Sequence, residues 1–325
     1  MATLARFETP ERLLARARGA DPVPTGVAAA NSALALESAK RAQEEGLIEP
    51  VLVGDEAVIR KLAAGMDWAL EGVRIVHKAD ETDAARTAVD LARRGEVKAL
   101  MKGHVHTDVL MMAALDRNNG LRTGRRFTHA FHMSVPNSGR EMIISDAAIN
   151  IAPDIDTKRD IIRNSVDLAR MLGAVRPQVA LLSCTEEVTN RVQSSMDAAL
   201  LTEWWSGEGY GSANVFGPLA LDLALSEEAA RVKGMENPVA GHADVLVVPN
   251  IETGNALFKM MVHFMNATAA GVVLGASVPI VLTSRADPPE ARIAAAAIAS
   301  LMAGGAKAPP VPCAALRAGP EKVAR

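Results

Sequence analysis

The sequence is short of aromatic residues, short of cysteine and without a long uninterrupted apolar run, and each shortage removes a class of protein. Phe, Trp and Tyr together make up 3% of the 325 residues, so the core has to be built from small aliphatic side chains packed close together, as when helices lie on a sheet. Alanine supplies much of this packing, as in the run at 294–297. The two cysteines, Cys184 and Cys313, are too few for a disulfide framework, and neither has a second thiol near it in sequence. A reducing compartment, the cytoplasm, is therefore expected. Residues 1–18 carry acids and arginines and no apolar signal core, so export is not expected. The stretch from Met260 to Ser284 lacks formal charge but is broken by His263, Asn266, Gly271, Gly275, Ser277 and Pro279. It reads as a buried helix followed by buried strands, not as a membrane span.

Charge of one sign is scarce as well: 35 Lys+Arg stand against 38 Asp+Glu, a formal net charge of −3. Such a balance gives no general attraction to nucleic acid or to an anionic membrane. The common catalytic signatures are missing too, with no GxxxxGK[ST] loop, no HExxH, no GxSxG elbow and no paired CxxC. What the chain does have, at 49% hydrophobic and 22% charged, is the balance of a packed globule with a length suited to two domains, which excludes disorder over most of it.

Short β-branched runs alternate with segments of helical period, the pattern of βαβ units around a mostly parallel sheet with helices on both faces. Strands are predicted at 51–53, 73–76, 99–101, 127–133, 141–144, 179–183, 245–248, 271–274 and 280–283. Helices are predicted at 27–45 before Gly46, at 82–94 before Gly95, and at 157–172 with Asp156 as N-cap and Gly173 as the stop. Two strands flanking Asn137, Ser138 and Gly139 form a hairpin, which breaks the alternation and places a domain boundary near Pro136. Taken with the family resemblance below, the expected domains are 1–136 plus 272–325, a discontinuous first domain, and 137–271.

Candidate chemistry lies in loops at the C-terminal ends of strands, the edge where open α/β sheets bind ligands. The loop Lys102-Gly103-His104-Val105-His106-Thr107-Asp108 sets a cation on a tight turn leading into a helix, a good seat for an anion. Two other readings stand beside it: a solvated loop, or metal ligation by His104, His106 and Asp108. Gly217-Pro218-Leu219 leads to Asp222, and Pro238-Val239-Ala240-Gly241 precedes a strand ending at Pro249-Asn250. After it, Ile251-Glu252-Thr253-Gly254-Asn255 opens a helix carrying Lys259. Such a turn presents amides and short polar side chains to a phosphate or carboxylate, or is a plain helix cap. The sharpest local signal is Thr283-Ser284-Arg285-Ala286-Asp287. There a guanidinium fork suits a phosphate, a hydroxyl can donate to an oxyanion, and Asp287 either accepts a proton or caps the next helix. His263 reads as a satisfied core histidine and Cys184 as a buried structural thiol.

Taken together, Met101-Lys102-Gly103, Gly120-Leu121-Arg122-Thr123-Gly124, Ser145-Asp146-Ala147-Ala148-Ile149-Asn150-Ile151-Ala152-Pro153, Gly217-Pro218-Leu219-Ala220-Leu221-Asp222, the 238–241 and 249–255 turns and Thr283-Ser284-Arg285-Ala286-Asp287 resemble the phosphate acetyltransferase and phosphate butyryltransferase family, the butyryl branch above all. The resemblance runs from about Gly46 to near the end. It implies a two-domain isocitrate/isopropylmalate dehydrogenase-like fold with an interdomain cleft, a homodimer or larger homo-oligomer, no permanently bound cofactor, and CoA and orthophosphate as substrates. The reaction implied is reversible acyl exchange in a ternary complex, with a CoA thiolate attacking the acyl carbon of an acyl phosphate and phosphate leaving. By the same resemblance Arg285, with Lys102 and the Thr253-Gly254 turn, would hold phosphate and Ser284 would stabilise the oxyanion. Gly103, Thr107, Arg122, Asp222, Asn250, Glu252, Asn255 and Lys259 would complete the substrate-binding set.

The chain departs from acetyl-transferring relatives at two places. Ala291 stands where they carry a carboxylate taken as the thiol base, and a helix arginine of theirs falls near Met111 or Met112. Asp287 is the nearest substitute base, with Glu290 second, and Lys102 or Arg122 would restore the positive charge. Two rival readings are a metal- and NAD-dependent hydroxy-acid dehydrogenase, which would need a cluster of aspartates where the sequence has only scattered acids such as Asp146, Asp154 and Asp222, and a noncatalytic acyl-CoA-binding protein, for which Ala291 is the motive.

Overall fold

The computed structural model describes residues 7, 9–136, 138–208, 211–284 and 287–304. They fall into two compact units, one of residues 128–269 and one of residues 9–127 with 270 onward.

In the latter unit the elements run α1 (Glu11–Arg18), β1 (Val23–Ala28), α2 (Ala33–Glu44), β2 (Ile48–Gly54), α3 (Glu56–Ala64), β3 (Arg74–His77), α4 (Glu81–Arg93), β4 (Ala99–Lys102) and α5 (Thr107–Leu115). The helix starts are written in the sequence: Ser32, Asp55 and Asp80 each turn a side-chain oxygen onto amides of the first turn of α2, α3 and α4, satisfying donors that the helix itself leaves unpaired. The segment predicted as one helix over 27–45 divides into β1 and α2. Pro24 and Gly26 disguise β1 as a non-strand, yet Gly26 packs tightly there: a Cβ would come within 3.1 Å of the Leu100 side chain on the neighbouring strand.

After the other unit (β5–β9 and α6–α10, below) the chain adds β10 (Thr268–Leu274), β11 (Ile280–Val281) and α11 (Pro289–Gly304), giving the strand order β3-β2-β1-β4-β11-β10. Pairing is parallel from β3 through β11 and antiparallel between β11 and β10. Every residue of α11 from Ala291 to Leu301 is buried, which only a helix apolar nearly all round can tolerate. Alanines on it allow close contact with α1, α2, β1, β4 and β11. Arg292 is the single charge in that stretch.

The unit of residues 128–269 contains β5 (Thr128–Ser134), β6 (Glu141–Ser145), α6 (Ile155–Met171), β7 (Gln178–Leu182), α7 (Gln193–Gly207), β8 (Asn214–Leu219), α8 (Leu221–Leu225), α9 (Glu227–Val232), β9 (Val245–Val247) and α10 (Ile251–Met265). The strand order is β5-β6-β9-β7-β8. The predicted hairpin is present as antiparallel β5–β6, and the other pairs are parallel. Helix α6 begins two residues earlier than expected, with Asp154 accepting from the Thr157 amide at 2.8 Å in place of Asp156. β8 escaped prediction because Gly217 and Pro218 lie inside it. Aromatic rings are few but used together, as in the Phe131–Phe258 stack with centroids 4.1 Å apart.

The expected isocitrate/isopropylmalate dehydrogenase-like fold is corrected. The architecture is α/β, but its sheet is mixed, because the β5–β6 hairpin and the β10–β11 return both run antiparallel. The solved structures it resembles, given below, belong to other groups. Among the described residues no helix is long and apolar enough to cross a membrane. The expected buried helix at 260–265 is half right: Met261 is buried, while Met260, Phe264 and Met265 are exposed on the outer side of α10.

Two buried polar clusters hold the 128–269 unit together. Asp146, at the end of β6, accepts from the amides of Ala148, Ile149 and His129 and from the Asn150 side chain at 2.6–3.0 Å. This freezes the loop after β6, onto which α10 docks so tightly that a Cβ at Gly254 would sit 2.8 Å from that of Ala147. Beside it, His129 is buried and its pKa is pushed down to about 4 by that burial, against the pull of Asp146. Elsewhere Lys158 of α6 and Asp197 of α7 form a buried ion pair at 2.6 Å, with Gln193 bonded to the other carboxylate oxygen.

These clusters generate two predictions. Lys158→Met should destabilise the protein by about 3–5 kcal/mol by stranding a buried carboxylate, whereas Lys158→Met with Asp197→Leu should recover most of the loss in denaturant unfolding. Native His129 resists the proton that an unfolded histidine takes up near pH 6.5, so its contribution is full above that pH and is lost as pH falls toward 4. The melting temperature of His129→Leu relative to wild type should therefore improve steadily as pH is lowered across that window.

Candidate active site

Parallel pairing of β4 with β11, Leu100 opposite Ile280 and Met101 opposite Val281, brings the C-terminal ends of two distant strands side by side. Lys102-Gly103 leaves one end and Thr283-Ser284 the other. Between them lies a cavity of about 110 Å³, also lined by Ser32, the N-cap of α2, by Ser38 in the middle of that helix and by Arg292 of α11. Gly103 makes the corner possible: its amide bonds to the Ala28 carbonyl at 2.9 Å, and a Cβ would lie 2.5 Å from the carbonyl oxygens of both Ala28 and Ala29.

The turn after β11 is closed by Asp287, whose carboxylate accepts from the Ser284 amide at 2.7 Å while its own amide donates to the Ser284 carbonyl at 3.2 Å. Arg285, singled out in the sequence, lies outside the described residues. Asp287 thus reaches back along the chain, and the choice between proton acceptor and helix cap gains a third member, a turn lock. Burial pushes its carboxyl pKa up, against the Ser284 hydrogen bond and the charges of Arg292 and Lys102. Arg292 donates from Nη1 to the Asp287 carbonyl at 2.7 Å. Only 7% of its surface is exposed, and Nε has no partner among the described residues. Burial pushes its pKa down, opposed by Glu37 and Asp287. Ala291 is buried beside it and Glu290 half-buried.

The far end of the Lys102 loop is pinned by Glu81, which accepts from both the backbone amide and Nδ1 of His106. Those bonds hold the Glu81 carboxyl below its ordinary pKa. Thr107 follows as the exposed first residue of α5. Arg122 is exposed on a loop that bridges to Ala276, fastened by Thr123 Oγ1 on the Gly275 carbonyl at 2.6 Å.

The other residues picked from the sequence belong to the 128–269 unit. Asn250 caps α10, its side-chain oxygen accepting from the amide and hydroxyl of Thr253 at 3.0 and 2.7 Å, so the plain capping reading of that turn is realised there. Gly254 serves the close packing on Ala147 described above. Glu252 and Asp222 are exposed, Asn255 is half-buried, and exposed Lys259 lies 6.0 Å from the Phe258 ring centre. Two structural readings are corrected: Cys184 is exposed, and His263 is exposed on α10 and not a core residue. Of the acids offered to a metal-dependent dehydrogenase, Asp146 is taken up by amide donors and Asp154 by the cap of α6. No group of metal-ligating side chains occurs among the described residues.

Sequence reasoning missed Arg292, Ser32 and Ser38. A signal for Arg292 was present, since a lone arginine in a run of alanine and isoleucine has to find something polar in the core.

A family model described as phosphate acetyl/butaryl transferase matches residues 76–300. The phosphate acetyltransferase of Rhizobium meliloti is 46% identical over 298 residues, 92% of this chain and 94% of that protein. The phosphate butyryltransferase of Clostridium acetobutylicum is 36% identical over 278 residues, 86% and 92% of the two chains. Among solved structures, a branched-chain phosphotransacylase from Enterococcus faecalis superposes with a TM-score of 0.76 at 32% identity, covering 86% of this chain and 99% of that one. A 4-hydroxythreonine-4-phosphate dehydrogenase from Burkholderia phymatum, at 13% identity and a TM-score of 0.55 over 87% of this chain and 99% of that one, shares the fold alone. These likenesses replace the isocitrate/isopropylmalate dehydrogenase-like expectation and give no support to the dehydrogenase or noncatalytic readings. The chain is an acyltransferase that belongs to the phosphate acetyltransferase and phosphate butyryltransferase family.

Proposed function

We propose that the protein moves a short acyl group, acetyl or butyryl, reversibly between CoA and orthophosphate by direct transfer within a ternary complex. The observation that carries this reading is the convergence of Lys102, Ser284 and Asp287 at the adjoining ends of β4 and β11 in a member of this family. Toward acyl-CoA, the CoA sulfur attacks the acyl carbon, the carbonyl oxygen takes up negative charge, and phosphate departs with the electron pair of the acyl C–O bond. Nothing has to bond covalently to the protein, so orientation and charge stabilisation suffice.

Lys102 attracts the phosphate, Ser284 donates to the oxyanion, and Arg285 is assigned to phosphate by resemblance. Asp287 takes the thiol proton, and burial makes it a stronger base than an exposed carboxylate. Gly103, Thr107, Arg122, Asp222, Asn250, Glu252, Thr253, Gly254, Asn255 and Lys259 keep the substrate-binding roles that the family resemblance implies. CoA and phosphate are substrates, with no resident cofactor. A cytoplasmic location rests on the scarcity of cysteine, and assembly as a homodimer or larger homo-oligomer rests on the family resemblance.

The test is phosphate-dependent release of free thiol from acetyl-CoA and from butyryl-CoA. Wild type should release thiol with at least one donor, and Ser284→Ala should lower kcat about 10²–10³-fold with the fold intact. Release from neither donor would overturn the reading. In the acyl-CoA-forming direction, activity should rise with pH through a carboxylate pKa above the ordinary range. Asp287→Asn, which keeps an oxygen for the Ser284 amide, should abolish that acid limb and slow turnover about 10²-fold or more. An unchanged acid limb would remove Asp287 as the base.

A further inference from the structure

His104 takes no part in the roles given above to Lys102 and Ser284, yet it stands on the wall of the same cavity. Its backbone amide is tied to the Ala29 carbonyl at 2.7 Å, one residue after Gly103 is tied to Ala28, so the end of β1 fixes where the exposed His104 residue sits. At about 110 Å³ the cavity equals roughly three or four water molecules, which keeps a small group seated there close to every wall. Of the described residues on that wall, His104 alone carries an imidazole, the side chain that both gives and takes a proton near neutral pH, a range in which lysine and arginine side chains ordinarily keep theirs. His106, two residues on, is engaged elsewhere, with Nδ1 on the Glu81 carboxylate at 2.8 Å. The charged groups around His104 are Lys102 on its own loop, Arg292 of α11 on the same wall, Asp287 bonded to the Ser284 amide, and Glu81 at the start of α4. The Glu81 carboxyl is held below its ordinary pKa chiefly by the His106 hydrogen bonds and in smaller part by the charge of His104.

The reaction needs a proton at this place. A singly substituted phosphate carries close to two negative charges near neutral pH. If the acyl C–O bond broke with no proton supplied, the departing phosphate would hold three, while the thiol proton sat on Asp287. We infer that His104 is a catalytic residue, the acid that protonates the departing phosphate. The bond between the CoA sulfur and the acyl carbon forms, the acyl C–O bond breaks, its electron pair stays on the phosphate oxygen, and that oxygen takes the His104 proton. Water carries the proton from Asp287 back to His104, which is open to solvent, so the net change is one proton moved from thiol to phosphate. In the opposite direction neutral His104 accepts the proton of the attacking phosphate. The inference rests on the phosphotransacylase reading and adds to it the second of the two proton transfers that the exchange requires.

The test uses His104→Gln and His104→Ala with acetyl phosphate or butyryl phosphate and CoA. Because the residue is exposed, both variants should melt at the wild-type temperature. Their kcat should fall about 10²-fold or more, with the KM for CoA unmoved. In this direction the acid must start protonated, so wild-type activity should decline on the alkaline side. That limb should vanish in His104→Gln, and free imidazole should restore part of the activity of His104→Ala. Variants that turn over like wild type overturn the inference and leave the transferase reading standing. Slow variants that keep the alkaline limb and ignore imidazole overturn it as well, since a side chain that only shapes the loop behaves that way. A wild-type protein that moves no acyl group between CoA and phosphate brings down the transferase reading, and the proton donor with it.

Discussion

The parallel contact between β4 and β11 is the constraint on which the candidate site depends. Only two residue pairs define it, yet it sets the Lys102 corner beside the Ser284 turn. Both neighbours of that contact are fixed by close packing of backbone on backbone. Gly103 leaves no room for a Cβ between itself and the end of β1, and α11 covers β4 and β11 with alanines small enough to bring the helix near the strands. A core so poor in aromatics gains its stability from many short contacts, and that same tightness fixes the positions of the loops.

The two ends of the Lys102 loop are secured by different physics. At the β4 end the corner is held by hydrogen bonds from the Gly103 and His104 amides to the Ala28 and Ala29 carbonyls. At the α5 end a carboxylate, Glu81, gathers the amide and ring of His106. The opposite loop is secured by Asp287 on the Ser284 amide and by Arg292 on the Asp287 carbonyl. A side chain placed this way loses little orientational freedom when a ligand arrives, which is the advantage of preorganisation.

Much of the architecture could be read from the sequence because period and stop signals agree: the runs at β2, β4, β7 and β9 are apolar at nearly every position, and α4 and α6 end just before Gly95 and Gly173. β1 and β8 were hidden by Pro24, Gly26, Gly217 and Pro218, residues that normally argue against a strand; the two glycines here serve close approach to a neighbour. His263 and Cys184 were misjudged because an apolar sequence context was taken to mean burial, whereas α10 buries only Gly254 and Met261 fully. The site was legible as loops but not as a cavity. Lys102 and Ser284 were chosen singly for their chemistry, and their meeting depends on strand order, which a single sequence does not state. Ser32 fell inside the single helix predicted at 27–45 and carried no signal of its own.

Arg292 illustrates why a site can be invisible in composition and plain in packing. Its helix would be more comfortable with another alanine at that position, since burying a guanidinium among apolar side chains is unfavourable unless its donors are met. One donor is met by the Asp287 carbonyl, and Nε is not met by any described residue. Nε is sealed from solvent by the packing around it. Ala291, where the family resemblance leads one to expect a carboxylate, is buried beside Arg292 and adds no second charge to that stretch. Ala291 leaves Asp287, held on the Ser284 amide, as the nearer carboxylate.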